Sequence, residues 1–474
     1  MKTQPLVLSV SLALAAAAWS QPTAPDATSL TSAQFAERML HRRAVEAVIW
    51  GIPAVNTDLM IQAALKAGAG QNQIVYWSRP LDWRNQTLTP NPDAIYFMPF
   101  WSTKDVGPVV VEIPPAEGGS ITGSLMDLWQ VPIEDVGTAG VDKGKGGKYL
   151  ILPPGFNEQV PEGYIPLSSQ VYQGYGLLRS ILKSRSDADV AAAVDYGKRI
   201  KIYPLSAAAN PRESTRVDAY GVLFDATIPY DVRFFESLDR VVQYEPWIER
   251  DRVMINTLGS LGIVKGDRFS PDARTRQALT AALAEARAWF DDYYETAYEP
   301  YYKGSRWFVP LSKDLMAAVA DGFADVNTYP IDARGSIYYC AFSGLKHMGA
   351  GQFYLFVTRD RDGNALDGTG TYRLHIPAHP PVEQYWSVVL YDFNTHALIR
   401  EVPRASRSSL DPDLVKNADG SVDVYFGPRA PEDKGANWIP TKAGGRFEAL
   451  FRFYGPTKAL FDKTWALPDI EMAP

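Results

Sequence analysis

One pattern of strands and turns occurs twice in the sequence and most constrains the fold. In the first copy, "GPVVVEIPPAEGGSITGSLMDLW", a β-rich run ends in Ile-Pro, a turn follows, and a second run closes at Asp127. The second copy, "YRLHIPAHPPVEQYWSVVLYDFN", repeats this order and closes at Asp392. Similar phrases, "TPNPDAIYFMPFW" and "YPIDARGSIYYCAFSG", precede the two copies, and we align Ile95 with Ile337. The pattern predicts two β-sandwich domains of related topology, although two unrelated antiparallel meanders could also share such turns.

The hydrophobic spacing predicts where helices separate these β-rich stretches. Thr31 and Gln34 fit a capping box, and apolar residues follow them at helical spacing. Helical spacing returns after Ser270, and strands are predicted to resume after Asp325. The predicted fold is therefore mainly β with helical insertions, in the α+β class. Its predicted parts are an N-terminal helical segment at 21–75, a jelly-roll-like β-sandwich domain at 76–205, a mostly helical connecting region at 206–324 and a second such sandwich at 325–474.

The first twenty residues have the pattern of a secretory signal peptide. Lys2 precedes an apolar stretch from Leu6 to Ala18, and small residues flank the expected cleavage site after Ser20. This apolar stretch is too short to cross a bilayer as a helix. We therefore expect a periplasmic or secreted cell-envelope protein that has no membrane span after signal removal.

Charge and cysteine content exclude several partners and cofactors. With 54 acidic and 47 basic residues, the chain lacks the basic surface typical of nucleic-acid-binding proteins. Cys340 is the only cysteine, and its apolar surroundings predict a buried, unreactive thiol. His375 and His379 flank Pro377, which excludes a regular helix, and two histidines are too few to hold a metal. We expect no cofactor, no metal and no nucleic-acid partner, and the sequence leaves a homo-oligomer open.

Several phrases of the sequence resemble two bacterial families of unknown function. "TPNPDAIYFMPFW", "GPVVVEIPP", "SLMDLW" and "GKYLILPPG" resemble domain of unknown function 1254. "LDGTGTYRLHIP", "YWSVVLYD", "NADGSVDVYF", "ANWIP" and "RFYGP" resemble domain of unknown function 1214. The resemblance covers most of the chain from Ile74 to Trp465. It implies an exported or envelope-associated bacterial protein with two β-sandwich domains and a helical insertion, and it implies no particular chemistry.

Carboxylates beside aromatic residues mark the candidate ligand site. Asp93, Asp127 and Asp392 each lie at the end of a β-rich run or turn with aromatic residues nearby. Such a pairing suits a polar, ring-shaped ligand, because the ring stacks on the aromatic face while the oxygens accept hydrogen bonds. The predicted ligand-binding residues form two groups, one with Asn91, Asp93, Tyr96, Asp127 and Trp129, and the other with Trp386, Tyr391, Asp392, Asn437 and Trp438.

Two classes of function follow from this interpretation. The first is binding of a small polar or aromatic ligand in a cleft lined by aromatic and carboxylate groups. The alternative is a periplasmic hydrolase or lyase with a carbohydrate-type substrate, in which two of the three aspartates act as acid and base. A purely structural role also fits, because aspartates cap turns and aromatic residues fill cores. The sequence does not decide whether the protein is an enzyme.

We expect the exported protein to begin near Gln21, because signal peptidase cleaves after the small residues that flank the apolar stretch. The measurement is the intact mass of protein recovered from the exported fraction. A mass that includes Met1 in that fraction would contradict the signal-peptide interpretation.

Overall fold

The computed structural model describes residues 30–341, 346–347 and 351–473, so the predicted signal peptide lies outside the described residues. The described α-helices are α1 (Ser32–Lys66), α2 (Asp187–Gly197), α3 (Arg233–Tyr244), α4 (Met254–Gly259), α5 (Ala273–Thr296), α6 (Lys313–Ala320), α7 (Ile331–Cys340) and α8 (Lys458–Phe461). Most strands lie in two stretches of the chain, which helices α3 to α7 separate, in an α+β arrangement that is rich in strands.

Helix α1 begins at the predicted capping box and passes through the largest apolar core. Gln34 N donates to Thr31 Oγ1 at 3.3 Å, and Thr31 N donates to Gln34 Oε1 at 2.8 Å. By length and hydropathy α1 could cross a membrane, whereas we expected no such segment after the first twenty residues. Of its most apolar window, 83% is buried inside the protein. Its neighbours in this core are α3, α5 and α7.

The strands that follow α1 form two sheets, which we call the first β unit. The strands are β1 (Gln73–Tyr76), β2 (Asn85–Gln86), β3 (Ile95–Ser102), β4 (Val109–Ile113), β5 (Ile121–Asp127), β6 (Pro132–Gly137), β7 (Gly147–Leu152), β8 (Ile165–Ser168), β9 (Gln173–Ser180), β10 (Lys201–Pro204) and β11 (Arg216–Asp218), with β2 paired to β12 (Phe224–Asp225). The larger sheet has the order β11–β1–β3–β9–β5–β6, and the smaller sheet has the order β10–β4–β7–β8. Phe97, Val111 and Leu178 belong to the apolar cluster that both sheets share.

The C-terminal strands form a second pair of sheets, the second β unit. The strands are β13 (Gln352–Val357), β14 (Tyr372–Ile376), β15 (Val382–Asp392), β16 (Ala397–Leu398), β17 (Ser406–Ser408), β18 (Val422–Gly427), β19 (Trp438–Pro440), β20 (Phe447–Pro456) and β21 (Glu471–Met472). The larger sheet has the order β13–β20–β15–β16, with β17 also paired to β15, and the smaller sheet has the order β19–β18–β14–β21. Leu374, Val388 and Phe451 lie in the core that these two sheets share.

The two β units have the same order of equivalent strands. In the larger sheets, β3–β9–β5 corresponds to β13–β20–β15, and in the smaller sheets β10–β4–β7–β8 corresponds to β21–β14–β18–β19. The pairs β7–β8 and β18–β19 are both parallel. Along the chain, α2 lies between β9 and β10, and α8 lies at the equivalent place between β20 and β21. The two β units therefore have the related topology that the repeated sequence pattern predicts.

The predicted alignment of the two copies is right at one end and wrong at the other. Asp127 and Asp392 both end equivalent strands. Tyr96 pairs with Arg179 and Tyr354 pairs with Arg452 on equivalent strands, so Tyr354 is the counterpart of Tyr96. The alignment of Ile95 with Ile337 matches Tyr96 with Tyr338 instead, which is not its structural counterpart.

The prediction that strands resume after Asp325 is also wrong. Residues Ile331–Cys340 form α7, and the next strand begins at Gln352. All the residues from Ala333 to Cys340 are buried, so this part of the helix has no solvent-exposed face. A short apolar run buried on every side has the same appearance in the sequence as a buried strand. Cys340 is buried as predicted, and burial raises the pKa of its thiol.

The close approach of β5 and β6 predicts different effects for two glycine substitutions. Gly137 has φ +85°, and an added Cβ would overlap Ile121 O, whereas Gly118 has φ +83° and open space around it. Gly118→Ala should cost about 1 kcal/mol from backbone strain alone. Gly137→Ala should cost about 3 kcal/mol or more, because the strands must also separate. Equal losses of unfolding free energy in denaturant titrations would contradict this packing.

Candidate functional site

The loop 89–93, which precedes β3, is buried against the larger sheet of the second β unit. Thr89 N donates a hydrogen bond to His396 O at 2.6 Å. Tyr391 donates its hydroxyl to Pro90 O at 2.6 Å. The motif that stood out in the sequence is therefore a contact between the two β units.

Asn91 connects tyrosines from both units. Its backbone N–H donates to Tyr96 Oη at 2.9 Å, and its Nδ2 donates to Tyr454 Oη at 2.7 Å and to Tyr385 Oη at 3.2 Å. Its Oδ1 accepts from Asp93 N at 3.0 Å. The side chain is fully buried, so these bonds replace the water that an exposed amide would have.

Two buried arginines contact this network. Arg179 on β9 is 5% exposed and donates from Nε to Tyr96 Oη at 3.0 Å. Arg452 on β20 is 1% exposed, and its Nη2 donates to Thr89 O at 2.7 Å and to Tyr391 Oη at 2.5 Å. We call the whole set the tyrosine–arginine cluster, which consists of Asn91, Tyr96, Arg179, Tyr354, Tyr385, Tyr391, Arg452 and Tyr454.

The charges of the tyrosine–arginine cluster are not balanced within the described part of the chain. The polar partners found there for Arg179 and Arg452 are neutral oxygens, and no carboxylate forms an ion pair with either. The undescribed internal residues, 342–345 and 348–350, include no aspartate or glutamate. Burial raises the pKa of Tyr385, Tyr391 and Tyr454, so these phenols stay neutral near pH 7. The cluster therefore carries two buried positive charges.

Asp93, predicted as a ligand-binding and candidate catalytic residue, lies next to this cluster in a contact between the units. It forms an ion pair with Arg185 and accepts from Ser406 Oγ at 3.0 Å. Arg185 also pairs with Asp411 at 2.9 Å. Asp93 itself is fully buried. These partners give its carboxylate a structural role.

Asp127 and Trp129 lie in a separate cluster beneath α1. Asp127 Oδ1 accepts from Val131 N at 2.9 Å. Burial raises the pKa of Asp127 to about 6, and the hydrogen bond from Val131 offsets part of that rise. Trp129 packs against Trp50 with 4.6 Å between ring centroids, and the Arg334 guanidinium lies 5.2 Å from the Trp129 ring. The structure therefore brings Asn91 and Tyr96 together but places Asp127 and Trp129 elsewhere.

The second predicted group is divided by the geometry of β15. Trp386 points into the core of the second β unit and stacks on Phe451 with 5.6 Å between centroids. Tyr391 lies on the opposite face of the strand, in the tyrosine–arginine cluster. Asp392 accepts from Asn394 N at 2.8 Å and closes a turn. Of the three predicted residues on this strand, only Tyr391 joins the loop that carries Asn91.

Asn437 and Trp438 lie at β19, on the smaller sheet. Asn437 exchanges hydrogen bonds with Val415 at 2.9 and 2.7 Å and donates to Asp423 O at 2.9 Å. Trp438 Nε1 donates to Gly427 O at 2.9 Å. All of these partners are backbone groups, so here both side chains support the fold.

Five members of the tyrosine–arginine cluster were not predicted from the sequence. The available signal was an arginine within an apolar strand, "GYGLLRS" for Arg179 and "ALFRFYGP" for Arg452, because arginine is seldom fully buried without a specific partner. In the described ranges, no group of three metal-ligating side chains is arranged to hold an ion. The unpredicted members are Arg179, Tyr354, Tyr385, Arg452 and Tyr454.

Comparison with known proteins places both β units in families. A family described as "Protein of unknown function (DUF1254)" matches residues 71–204, and "Protein of unknown function (DUF1214)" matches residues 351–458. No curated protein matches the chain.

Two solved structures are similar to the chain over most of its length. The crystal structure of the VPA0106 protein from Vibrio parahaemolyticus is 18% identical, covers 92% of this chain and 100% of its own, and has a TM-score of 0.56. An uncharacterised protein from Burkholderia cenocepacia is 13% identical, covers 92% and 95%, and has a TM-score of 0.42. At 18% identity, the similarity to the Vibrio protein concerns the fold alone.

The raised pKa of Asp127 predicts how stability depends on pH. The carboxyl titrates near 3.8 when unfolded and at about 6 in the fold, so its protonated form favours folding and this contribution is lost as pH rises towards and through 6. Asp127→Asn cannot ionise, so its unfolding free energy relative to the wild type should rise between pH 4 and pH 7 by at most about 3 kcal/mol. Denaturant titrations across this range measure the difference. A pH-independent difference would contradict the raised pKa.

Proposed function

We propose that this chain, which belongs to the DUF1254 and DUF1214 families, binds a small organic anion in the tyrosine–arginine cluster. The observation that carries this proposal is the pair of buried guanidinium groups without a carboxylate partner among the described residues. A buried charge without a counter-charge costs several kcal/mol. An anionic ligand would supply the missing charge.

The chemistry of the tyrosine–arginine cluster suits a carboxylate joined to an apolar or aromatic body. Within the described residues Arg179 uses only Nε for a hydrogen bond, which leaves its two terminal nitrogens for a bidentate carboxylate. Tyr385 and Tyr454 stack with 4.3 Å between ring centroids and supply apolar surface. Tyr354 is half-buried, and we propose that a ligand enters beside it.

Cellular location and organisation belong to the same proposal. We propose export to the periplasm or secretion, on the basis of the signal-like residues 1–20. We also propose that the first and second β units are jelly-roll-like sandwiches, which helices α3 to α7 separate along the chain. The equivalent strand orders support two related sandwiches. Self-association of the chain is compatible with this function.

The hydrolase or lyase alternative needs two carboxylates that act on one substrate. Asp127 has the raised pKa that such a role requires. However, Asp93 is paired with Arg185, and Asp392 closes a turn. This distribution favours binding over acid–base hydrolysis.

Replacing Arg179 with methionine separates a binding role from a structural role. Methionine keeps much of the buried volume and removes the charge, so the unliganded melting temperature should stay the same or rise. Organic carboxylates that stabilise the wild type should no longer stabilise Arg179→Met. At a hundredfold excess over Kd, the lost stabilisation is about 2.7 kcal/mol. Thermal melting with a panel of monocarboxylates, dicarboxylates and sulfonates measures both effects.

Arg199→Met is the matched control. Arg199 is exposed, and its guanidinium lies 5.1 Å from the Tyr196 ring, so the substitution removes an arginine–tyrosine contact outside the cluster. This variant should keep the ligand-induced stabilisation. If Arg179→Met melts much lower without ligand and still gains stability from the same anions, Arg179 is structural and the proposed site is wrong.

A further inference from the structure

Three polar side chains of the first β unit lie side by side on its larger sheet. Tyr96 on β3 is directly opposite Arg179 on β9, and Arg179 is directly opposite Thr122 on β5. Residues opposite each other on neighbouring strands share a face of the sheet. Leu178, the neighbour of Arg179 in sequence, lies in the core between the two sheets, so this row of three points away from that core.

The second β unit has an equivalent row. Tyr354 on β13 is opposite Arg452 on β20, and Arg452 is opposite Ser387 on β15. The Arg452 guanidinium lies 4.5 Å from the centroid of the Tyr354 ring. A tyrosine, an arginine and a small hydroxyl residue therefore occupy matching positions on matching strands.

The two rows meet in one hydrogen-bonded network. Asn91 joins Tyr96 to Tyr454, and Tyr454 Oη lies 3.2 Å from Tyr354 Oη. The guanidinium groups of both units therefore contact tyrosines of one hydrogen-bonded network, Arg179 through Tyr96 and Arg452 through Tyr354.

We infer that the ligand of this site carries two anionic groups, one for Arg179 and one for Arg452, as a small dicarboxylate does. This inference rests on the proposed function. A monoanion would leave one of the two buried guanidinium charges without a counter-charge, whereas a dianion balances both. Arg452 Nε is buried without a hydrogen-bond partner in the described part of the chain, so it can donate to an oxygen of the second anionic group.

Matched pairs of acids test the second anionic group. Succinate and butyrate have the same carbon chain, as do glutarate and pentanoate, and each pair differs by one carboxylate. Calorimetric titration at pH 7 and low salt should show about ten- to a hundredfold tighter binding of the diacid, the gain expected from one more charge-assisted hydrogen-bonded pair. In Arg179→Met this ratio should fall towards one, while Arg199→Met should keep it.

Each alternative outcome has a separate meaning. Equal affinities within each pair of acids would overturn the inference of two anionic groups and leave the proposed function in place. Inorganic phosphate that binds more tightly than every diacid would overturn it in favour of a single doubly charged group. Failure of all these anions to bind would overturn both proposals. Arg179→Lys keeps the charge, so a retained preference for diacids in that variant supports the inference even if Arg179→Met folds poorly.

Discussion

The structure depends on burying the loop 89–93 between the two β units without leaving its backbone polar groups unpaired. Pro90 and Pro92 have no N–H group, so the loop has only three backbone donors. Thr89 N, Asn91 N and Asp93 N all have acceptors. The second unit supplies donors to three of the loop carbonyls, through the side chains of Arg452, Tyr391 and Tyr385.

This constraint explains why the site and the contact between the units contain the same residues. Tyrosine satisfies the buried loop without adding charge, because its hydroxyl both donates and accepts. The charge that remains comes from Arg179 and Arg452. Asp93 has Arg185 as a counter-charge, whereas no carboxylate among the described residues pairs with Arg179 or Arg452.

The sequence predicted the parts of this arrangement that depend on local pattern. The capping box at Thr31 and the equivalence of Asp127 with Asp392 follow from spacing along the chain. The prediction that Trp386 and Tyr391 belong to one group was wrong. These residues are an odd number of positions apart on β15, and such residues lie on opposite faces of a regular strand. The cluster itself depends on long-range packing: the loop 89–93 meets Arg452 only after both β units have folded and docked, and no short-range pattern encodes that contact.

The duplicated strand order has a further consequence for how such a site can change. In a symmetric homodimer, every substitution appears in both halves of a shared site. Here one polypeptide contains both halves, so a single substitution alters one half alone. The halves already differ: Arg452 donates to a backbone carbonyl, whereas Arg179 donates only to a phenol among the described residues. A chain with this architecture can therefore evolve recognition of ligands whose two ends are chemically different.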